Sequence, residues 1–266
     1  PSAVKDELIN VTAELLQSLD GAMITGCDLN TSLEDMERLT ELTPHVLAAV
    51  GSPVDASAAT AHGTLGAVEA VLEAELKDAT PGRALVHGCG AVGGTVARTL
   101  VEHGWTVFTV DLSRERAGFP GATPLPQGCP WWELKLDLLL PCSISGLINA
   151  EMASALRVTS VVPAANAPFQ SPQLADALRQ RGIRVLPDPL VNAGAVIADS
   201  IERFSPDAWK DAGAKDVYAF VREEVRRRAT DYLNQRDQGL SVGAALNEVA
   251  AAPATDPIGL SFGDAA

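Results

Sequence analysis

Residues 83–111, RALVHGCGAVGGTVARTLVEHGWTVFTVD, constrain the fold more than any other part of the chain. A short apolar run, Ala84-Leu85-Val86, leads into Gly88-x-Gly90-x-x-Gly93, and Val92, Val96, Leu100 and Val101 then recur at helical spacing. A second apolar run, 107–110, ends on Asp111, 18 residues after Gly93. The order is strand, glycine turn, helix, strand and terminal acid, and each part has a task in holding a dinucleotide. Gly88 permits the tight turn, Gly90 leaves no Cβ where a pyrophosphate must approach the backbone, and Gly93 lets the helix lie close against its strand. The first helical turn, with Ala91 and Val92, offers free N–H groups and a partial positive charge to the phosphates. Asp111, followed by Leu112, is placed to accept hydrogen bonds from both adenosine ribose hydroxyls. NAD is therefore the expected cofactor, since a carboxylate repels a 2′-phosphate, although Arg114 and Arg116 follow closely enough to offset part of that preference.

The rest of the chain supplies the strands and helices that such a unit needs. Leu136-Asp137-Leu138-Leu139-Leu140 reads as a strand stopped by Pro141, 158–162 as another stopped by Pro163, and 183–186 as a third ending at Pro187. Residues 173–181 read as a helix capped by Gly182. Strands alternating with helices imply an α/β fold, a doubly wound parallel sheet of the Rossmann type. Residues 113–133 hold four Pro and three Gly, which argues against a regular helix through most of that stretch. Before the glycine unit, 3–19 reads as a helix with Val4, Leu8, Val11, Leu15 and Leu19 on one stripe. Thr31 and Glu34 form a T-x-x-E capping box opening a second helix to about Leu42, and 43–56 is a loop. A third helix runs from Ser57 to about Lys77, with Gly63 and Gly66 suited to close packing. From Asp207 onward the chain is helical, with Val217, Phe220, Val221, Val225 and Tyr232 on its apolar stripe. Phe204 and Trp209 are expected to pack where this helix leaves the sheet. The expected organisation is a partial second domain over 1–60, a dinucleotide-binding domain over 61–205, helices over 206–250 and a loose tail over 251–266.

Charge and cysteine usage narrow the partners. The net charge is −14, and the one basic run, Arg226-Arg227-Arg228, follows two glutamates and reads as a solvated helix face, so neither nucleic acid nor an anionic membrane is an expected partner. No apolar stretch approaches the roughly 20 residues of a membrane span, and no signal-peptide pattern opens the sequence. Cys27, Cys89, Cys129 and Cys142 form no C-x-x-C, the four histidines have no metal-ligand spacing, and no metal is expected. These features together suggest a cytoplasmic protein.

In a doubly wound sheet the ligand lies at the carboxyl ends of the strands. There the sequence reads Pro141-Cys142-Ser143, then Ala164-Ala165-Asn166-Ala167-Pro168, then Pro187-Asp188-Pro189 with Asn192-Ala193-Gly194. Asparagine amides satisfy ribose hydroxyls or a carboxamide without adding charge.

With Thr25-Gly26-Cys27-Asp28 and Thr60-Ala61-His62-Gly63, these motifs resemble the amino-acid dehydrogenase family of the glutamate, leucine, phenylalanine and valine enzymes, nearest its leucine dehydrogenase-like branch. The resemblance runs from about residue 1 to about 235. It implies NAD(P)-dependent oxidative deamination of an L-amino acid to a 2-oxo acid and ammonium. It further implies that Asp28 is the catalytic aspartate, that Thr60 and Asn192 lie near nicotinamide and substrate, and that Cys142, Ala165, Asn166 and Asn192 line the cofactor cleft beside Gly88, Gly90, Ala91, Val92, Gly93, Asp111 and Leu112. No charged side chain besides Asp28 stands among the residues expected on the substrate side, Asp28, Thr60 and Asn192, which favours an apolar amino acid.

The departures from the family pattern are equally specific. In that family a glycine-rich segment with the catalytic lysine, and a second lysine for the substrate carboxylate, come before the point where this chain begins. Here the lysines are Lys5, Lys77, Lys135, Lys210 and Lys215, none in a glycine-rich turn. Ala195 stands where the family usually has a second glycine. The expected activity therefore needs an N-terminal half supplied by a partner chain or a longer polypeptide, in a homo-oligomer or a mixed assembly. The alternative is a non-catalytic NAD-binding regulatory or assembly protein. A 2-hydroxy-acid dehydrogenase lacks support, because no histidine is expected at a strand end beside an aspartate.

Overall fold

The computed structural model describes residues 2–28, 31–47, 50–75 and 81–252. Helices α1 (Ser2–Ser18) and α2 (Leu33–Leu42) precede the long α3 (Ala56–Glu75). The sheet region follows as β1 (Arg83–His87), α4 (Ala91–Glu102), β2 (Thr106–Val110), α5 (Arg114–Ala117), β3 (Ala122–Pro124), β4 (Lys135–Pro141), α6 (Ala150–Ala155), β5 (Arg157–Val161), α7 (Pro172–Gln180) and β6 (Arg184–Val185). Then come α8 (Asp188–Val191), α9 (Gly194–Phe204), α10 (Pro206–Asp211), α11 (Ala214–Asp237) and α12 (Val242–Ala251).

The six strands lie in the order β3-β2-β1-β4-β5-β6, and every pairing is parallel. The chain winds outward from β1 in one direction and returns through β4 on the other side, so the topological switch point lies between β1 and β4. Those two strands are apolar without interruption because both faces are covered. Ala84, Val86, Leu138 and Leu140 face a layer containing α3, α4 and α11. Leu85 and Leu139 face the opposite layer, which contains α6 and α7. The expected small-residue packing of α3 is present. A Cβ on Gly66 would lie 2.1 Å from the Arg222 carbonyl oxygen, and one on Gly63 would lie 3.3 Å from the Gly194 Cα.

Several expectations need correction. On α1 the stripe Val4, Leu8, Val11, Leu15 and Leu19 is exposed, and the buried face is Ile9, Ala13 and Leu16, packed on Met36 and Leu39 of α2. The capping box belongs to Ser32 and Asp35. Thr31 instead closes a turn with Asp28, whose carbonyl accepts from the Thr31 N–H at 3.0 Å. The proline-rich stretch contains the edge strand β3, a position that tolerates Pro124 because no further strand needs its missing N–H. Pro141 is the last residue of β4 rather than its stop, paired with His87. Phe204 is exposed at the end of α9, whereas Trp209 does pack against the cluster around Phe220. The arginine run is no solvated face: Arg227 and Arg228 converge on the buried Glu224, and Arg228 also donates to the Val249 carbonyl and pins α12. The expected stripe of α11 is buried throughout. Lys77 and the tail beyond 252 lie outside the described residues. Among the described residues no helix is long and apolar enough to cross a membrane.

Candidate functional site

The glycine turn lies at the carboxyl ends of β1 and β4, the switch point of the sheet. Gly88 follows β1 in the left-handed region at φ +92°, and a Cβ there would lie 2.7 Å from Ser143, just after β4. Gly93 packs α4 onto the turn: its Cβ would lie 1.9 Å from the Gly88 carbonyl oxygen and 2.8 Å from the Cys142 Cβ. Gly90 is different. It is the N-cap of α4 at φ −71°, and nothing lies within 4 Å of where its Cβ would stand. Beyond it the first-turn N–H groups, which an α-helix leaves without intrahelical partners, face open space beside the exposed Ala91 and half-buried Val92. The space before the α4 N-terminus is open enough to admit a phosphate group, and these residues fit a dinucleotide.

Asp111 closes the other wall. Its Oδ2 accepts from the Cys89 N–H at 2.7 Å, and its Oδ1 accepts from the Ser113 N–H at 2.7 Å and from Arg116 at 3.1 and 3.2 Å. Burial alone would raise this carboxyl, but the Cys89 and Ser113 amides and the Arg116 guanidinium hold it below the ordinary carboxylate value. Leu112 next to it is 89% exposed, an apolar surface with nothing laid over it. The Arg116 contact is the feature that sequence reading understated: the basic residue is bonded to the carboxylate itself.

The opposite wall is made by the ends of β4, β5 and β6. The Cys142 N–H donates to the His87 carbonyl at 2.7 Å, and the Ala165 N–H donates to the Pro141 carbonyl at 2.9 Å. The Asn192 amide donates to Asn166 Oδ1 at 2.6 Å and to the Ala164 carbonyl at 3.2 Å. Asp188 accepts from the N–H of Ala167, which sits at φ +42°. Burial, with Cys89 adding to it, pushes the Cys142 thiol up to about 12, so it stays neutral. His87 does end β1, but its Nδ1 lies 2.8 Å from Ser143 Oγ rather than against an aspartate.

Thr60 and Asn192 meet this wall through α9. Gly194, at the start of α9, packs so closely on α3 that its Cβ would lie 2.8 Å from the Thr60 Cα. Thr60 itself is half-buried and its hydroxyl donates to the Ala56 carbonyl at 3.0 Å. Asp28 follows a segment that touches α9. The segment before it is pinned by a parallel bridge, Thr25 to Val46, and a Cβ on Gly26 would lie 2.3 Å from the Leu47 carbonyl oxygen and 3.8 Å from Asp199 Oδ2. Asp28 is exposed, and its backbone N–H donates to Thr31 Oγ1 at 2.7 Å. The structure thus brings the glycine turn, Asp111, Cys142, Ala165, Asn166 and Asn192 to the carboxyl end of the sheet, with α9 touching both Thr60 and the segment before Asp28. Sequence reading missed Asp199, a polar residue among the apolar positions of α9. Lys5 Nζ is 2.5 Å from Asp35 and Lys210 Nζ is 4.0 Å from Asp207.

Comparisons with known proteins point to one family. Residues 112–253 match the family model described as Glutamate/Leucine/Phenylalanine/Valine dehydrogenase. The phenylalanine dehydrogenase of Lysinibacillus sphaericus is 26% identical over 238 residues, covering 84% of this chain and 62% of that protein. The L-tryptophan dehydrogenase of Nostoc punctiforme is 28% identical over 204 residues, covering 74% and 58%. The chain spans about three fifths of the length of such relatives, 62% and 58% for these two. The crystal structure of L-tryptophan dehydrogenase from Nostoc punctiforme superposes with a TM-score of 0.74 at 23% identity, over 92% of this chain and 71% of that one. The hetero-hexameric glutamate dehydrogenase from Thermus thermophilus gives 0.73 at 20% identity, over 92% and 67%.

Proposed function

The chain belongs to the Glutamate/Leucine/Phenylalanine/Valine dehydrogenase family, and from that premise we propose that it is the cofactor-binding part of an NAD-dependent L-amino-acid dehydrogenase. The observation that carries this reading is the open space at Gly90, beside Asp111, which is tethered to the neighbouring Cys89 amide. Asp111 and Leu112 would take the adenosine, the first turn of α4 the pyrophosphate, and Cys142, Ala165, Asn166 and Asn192 the nicotinamide end. Hydride acceptance from the substrate Cα is the chemistry the bound nicotinamide supplies. Asp28 exchanges protons between the substrate nitrogen and water, and Thr60 positions the reacting carbon.

Deamination also needs a cation to polarise the carbonyl and another for the substrate carboxylate. Such preorganised charge is usually the largest catalytic contribution. Arginine has too high a pKa to exchange protons near neutrality, and Lys5 is paired with Asp35. We therefore assign the missing cations to an N-terminal half carried by a longer polypeptide or a partner chain. The exposed outer stripe of α1 is an apolar surface that such a half would cover. The Thermus thermophilus relative is described as hetero-hexameric, which agrees with an oligomer. The same scarcity of cations supports a second reading, a non-catalytic NAD-binding regulator or assembly protein.

The test is calorimetry and nicotinamide absorbance on the 266-residue chain. NAD should bind, no NADH should form from leucine, valine, phenylalanine, tryptophan or glutamate, and adding the N-terminal half should restore turnover. Turnover by the chain alone would contradict the division of labour. Absence of turnover after complementation would favour the regulatory reading.

A further inference from the structure

A cavity of about 260 Å³ lies at the amino end of the edge strand β6, whereas the glycine turn lies at carboxyl strand ends. Its polar lining is Arg179 of α7, Arg184 of β6, and Tyr232, Arg236 and Asp237 from the last turns of α11. Arg179 is oriented by two donations to the Val185 carbonyl, at 3.2 and 3.3 Å, and by one to Asp176 at 2.9 Å. Arg184 lies 3.0 Å from Glu75 and 3.6 Å from Asp237. Arg236 differs from both: it donates to the Leu240 carbonyl and, among the described residues, pairs with no carboxylate. Asp237 is the one acid among the described lining residues, and it is 63% exposed, so water screens its charge.

Tyr232 supplies an observation independent of the arginines. It is 2% exposed, and its hydroxyl is buried with no hydrogen-bond partner among the described residues. Burial pushes the phenol up while Arg179 and Arg236 pull it down, so both guanidiniums lie close enough to act on the hydroxyl. A buried O–H left unpaired is costly, and this one lines the same cavity as three guanidiniums, each with five N–H donors. All four groups donate, and what completes them together is an acceptor carrying negative charge. The rest of the wall is apolar, with Ile183, Val185 and Leu233. The volume falls below the roughly 300–1,000 Å³ of sites for drug-sized ligands, so a nucleotide is too large and an anion on a short carbon skeleton fits. We propose that this cavity binds a small organic anion, held by Tyr232, Arg179, Arg184 and Arg236 at the opposite end of the sheet from the glycine turn. Two sources share this chemistry, a phosphate monoester and a carboxylate. The bound anion ties α7 and β6 to the end of α11 and stabilises the fold, whether or not the chain takes part in deamination.

The experiment titrates glycerol 3-phosphate and butyrate into the 266-residue chain by calorimetry, with Tm read alongside. NAD is present at saturation, so that the first turn of α4 is not free to take the probe. At least one probe should bind and raise Tm, and the tighter of the two identifies the source, phosphate monoester or carboxylate. Tyr232→Phe should raise its Kd about tenfold, the worth of one charge-assisted hydrogen bond, and Arg236→Gln should raise it at least as much. Without the anion, Tyr232→Phe should be as stable as wild type or more so, because it removes an unpaired buried O–H. With the anion the order should reverse. Binding of neither probe would overturn the proposal, and so would binding indifferent to both substitutions, which would mean an adventitious anion only. A Tm loss in Tyr232→Phe that is equal with and without the anion would give the hydroxyl a structural partner and overturn it too. A chain that fails to bind NAD would refute the cofactor reading and leave these comparisons as they are.

Discussion

Gly90→Ala isolates the cradle from the rest of the fold. The residue has φ −71° and ψ −157°, a conformation open to any L residue, and the added methyl meets no atom within 4 Å. Two small opposing effects remain on stability. Alanine is a poorer N-cap than glycine by about 0.5–1.5 kcal/mol, while its less flexible unfolded state returns about 0.4–1 kcal/mol. The net change should be within about 1 kcal/mol, or a few degrees in Tm for a chain of this size. Affinity should behave quite differently. The methyl occupies the approach to the α4 N-terminus and displaces the pyrophosphate from at least one charge-assisted hydrogen bond, worth about 1.5–3 kcal/mol. That corresponds to roughly a 10- to 100-fold rise in the Kd for NAD. Gly93→Ala is the control, because its Cβ would stand 1.9 Å from the Gly88 carbonyl oxygen and 2.8 Å from the Cys142 Cβ. Backbone must move there, at a cost of about 1–3 kcal/mol or more. Thermal unfolding and NAD calorimetry on both variants decide the matter. Wild-type NAD affinity in Gly90→Ala would refute the placement of the phosphates, and a Tm loss as large as that of Gly93→Ala would refute the reading of the space around Gly90.

Asp111→Ala should narrow the preference for NAD over NADP by about 1.5–3 kcal/mol, and it should also lower Tm because the Cys89 and Ser113 amides lose their acceptor. Calorimetry with both cofactors checks it, and tighter NADP binding by the wild type would refute the assignment. In the complemented enzyme Asp28→Asn should cut turnover by about 10²–10⁴-fold and leave the Kd for NAD unchanged, as read by steady-state kinetics and titration. Asp199 also makes stability depend on pH. Burial holds its folded-state value at about 6, above the ordinary 3.8 of an aspartate, so the folded state is favoured at low pH and loses that advantage as pH rises through about 6. Asp199→Asn should therefore have a higher Tm than wild type at pH 7 relative to the same comparison near pH 4, and a difference independent of pH would contradict the burial of this carboxylate.

Much of the fold is legible in local chemistry. The runs 84–86 and 136–140 are apolar enough to need cover on both faces, and three glycines at fixed spacing leave one compact way to join strand to helix, so the centre of the sheet and the cradle follow from the residues alone. The order of Pro, Asn and Gly after each strand likewise marks the cleft, because turns at carboxyl strand ends converge on the switch point. Other features depend on partners distant in sequence. Helix α1 carries two apolar stripes of the same period, and only Met36 and Leu39 of α2 decide that Ile9, Ala13 and Leu16 go inside. Thr31 and Ser32 both satisfy a capping pattern, and the turn at Asp28 takes the first and leaves the cap to the second. Edge strand β3 is too short and proline-bound for periodicity to reveal, and exists because β2 offers a free edge. The arginine run looks solvated until α11 turns Glu224 inward beneath it. Asp199 has no motif of its own, since its place beside Gly26 is created when Gly194 seats α9 on Thr60. Sequence periodicity reports which residues must be covered, and only the tertiary contacts determine by what.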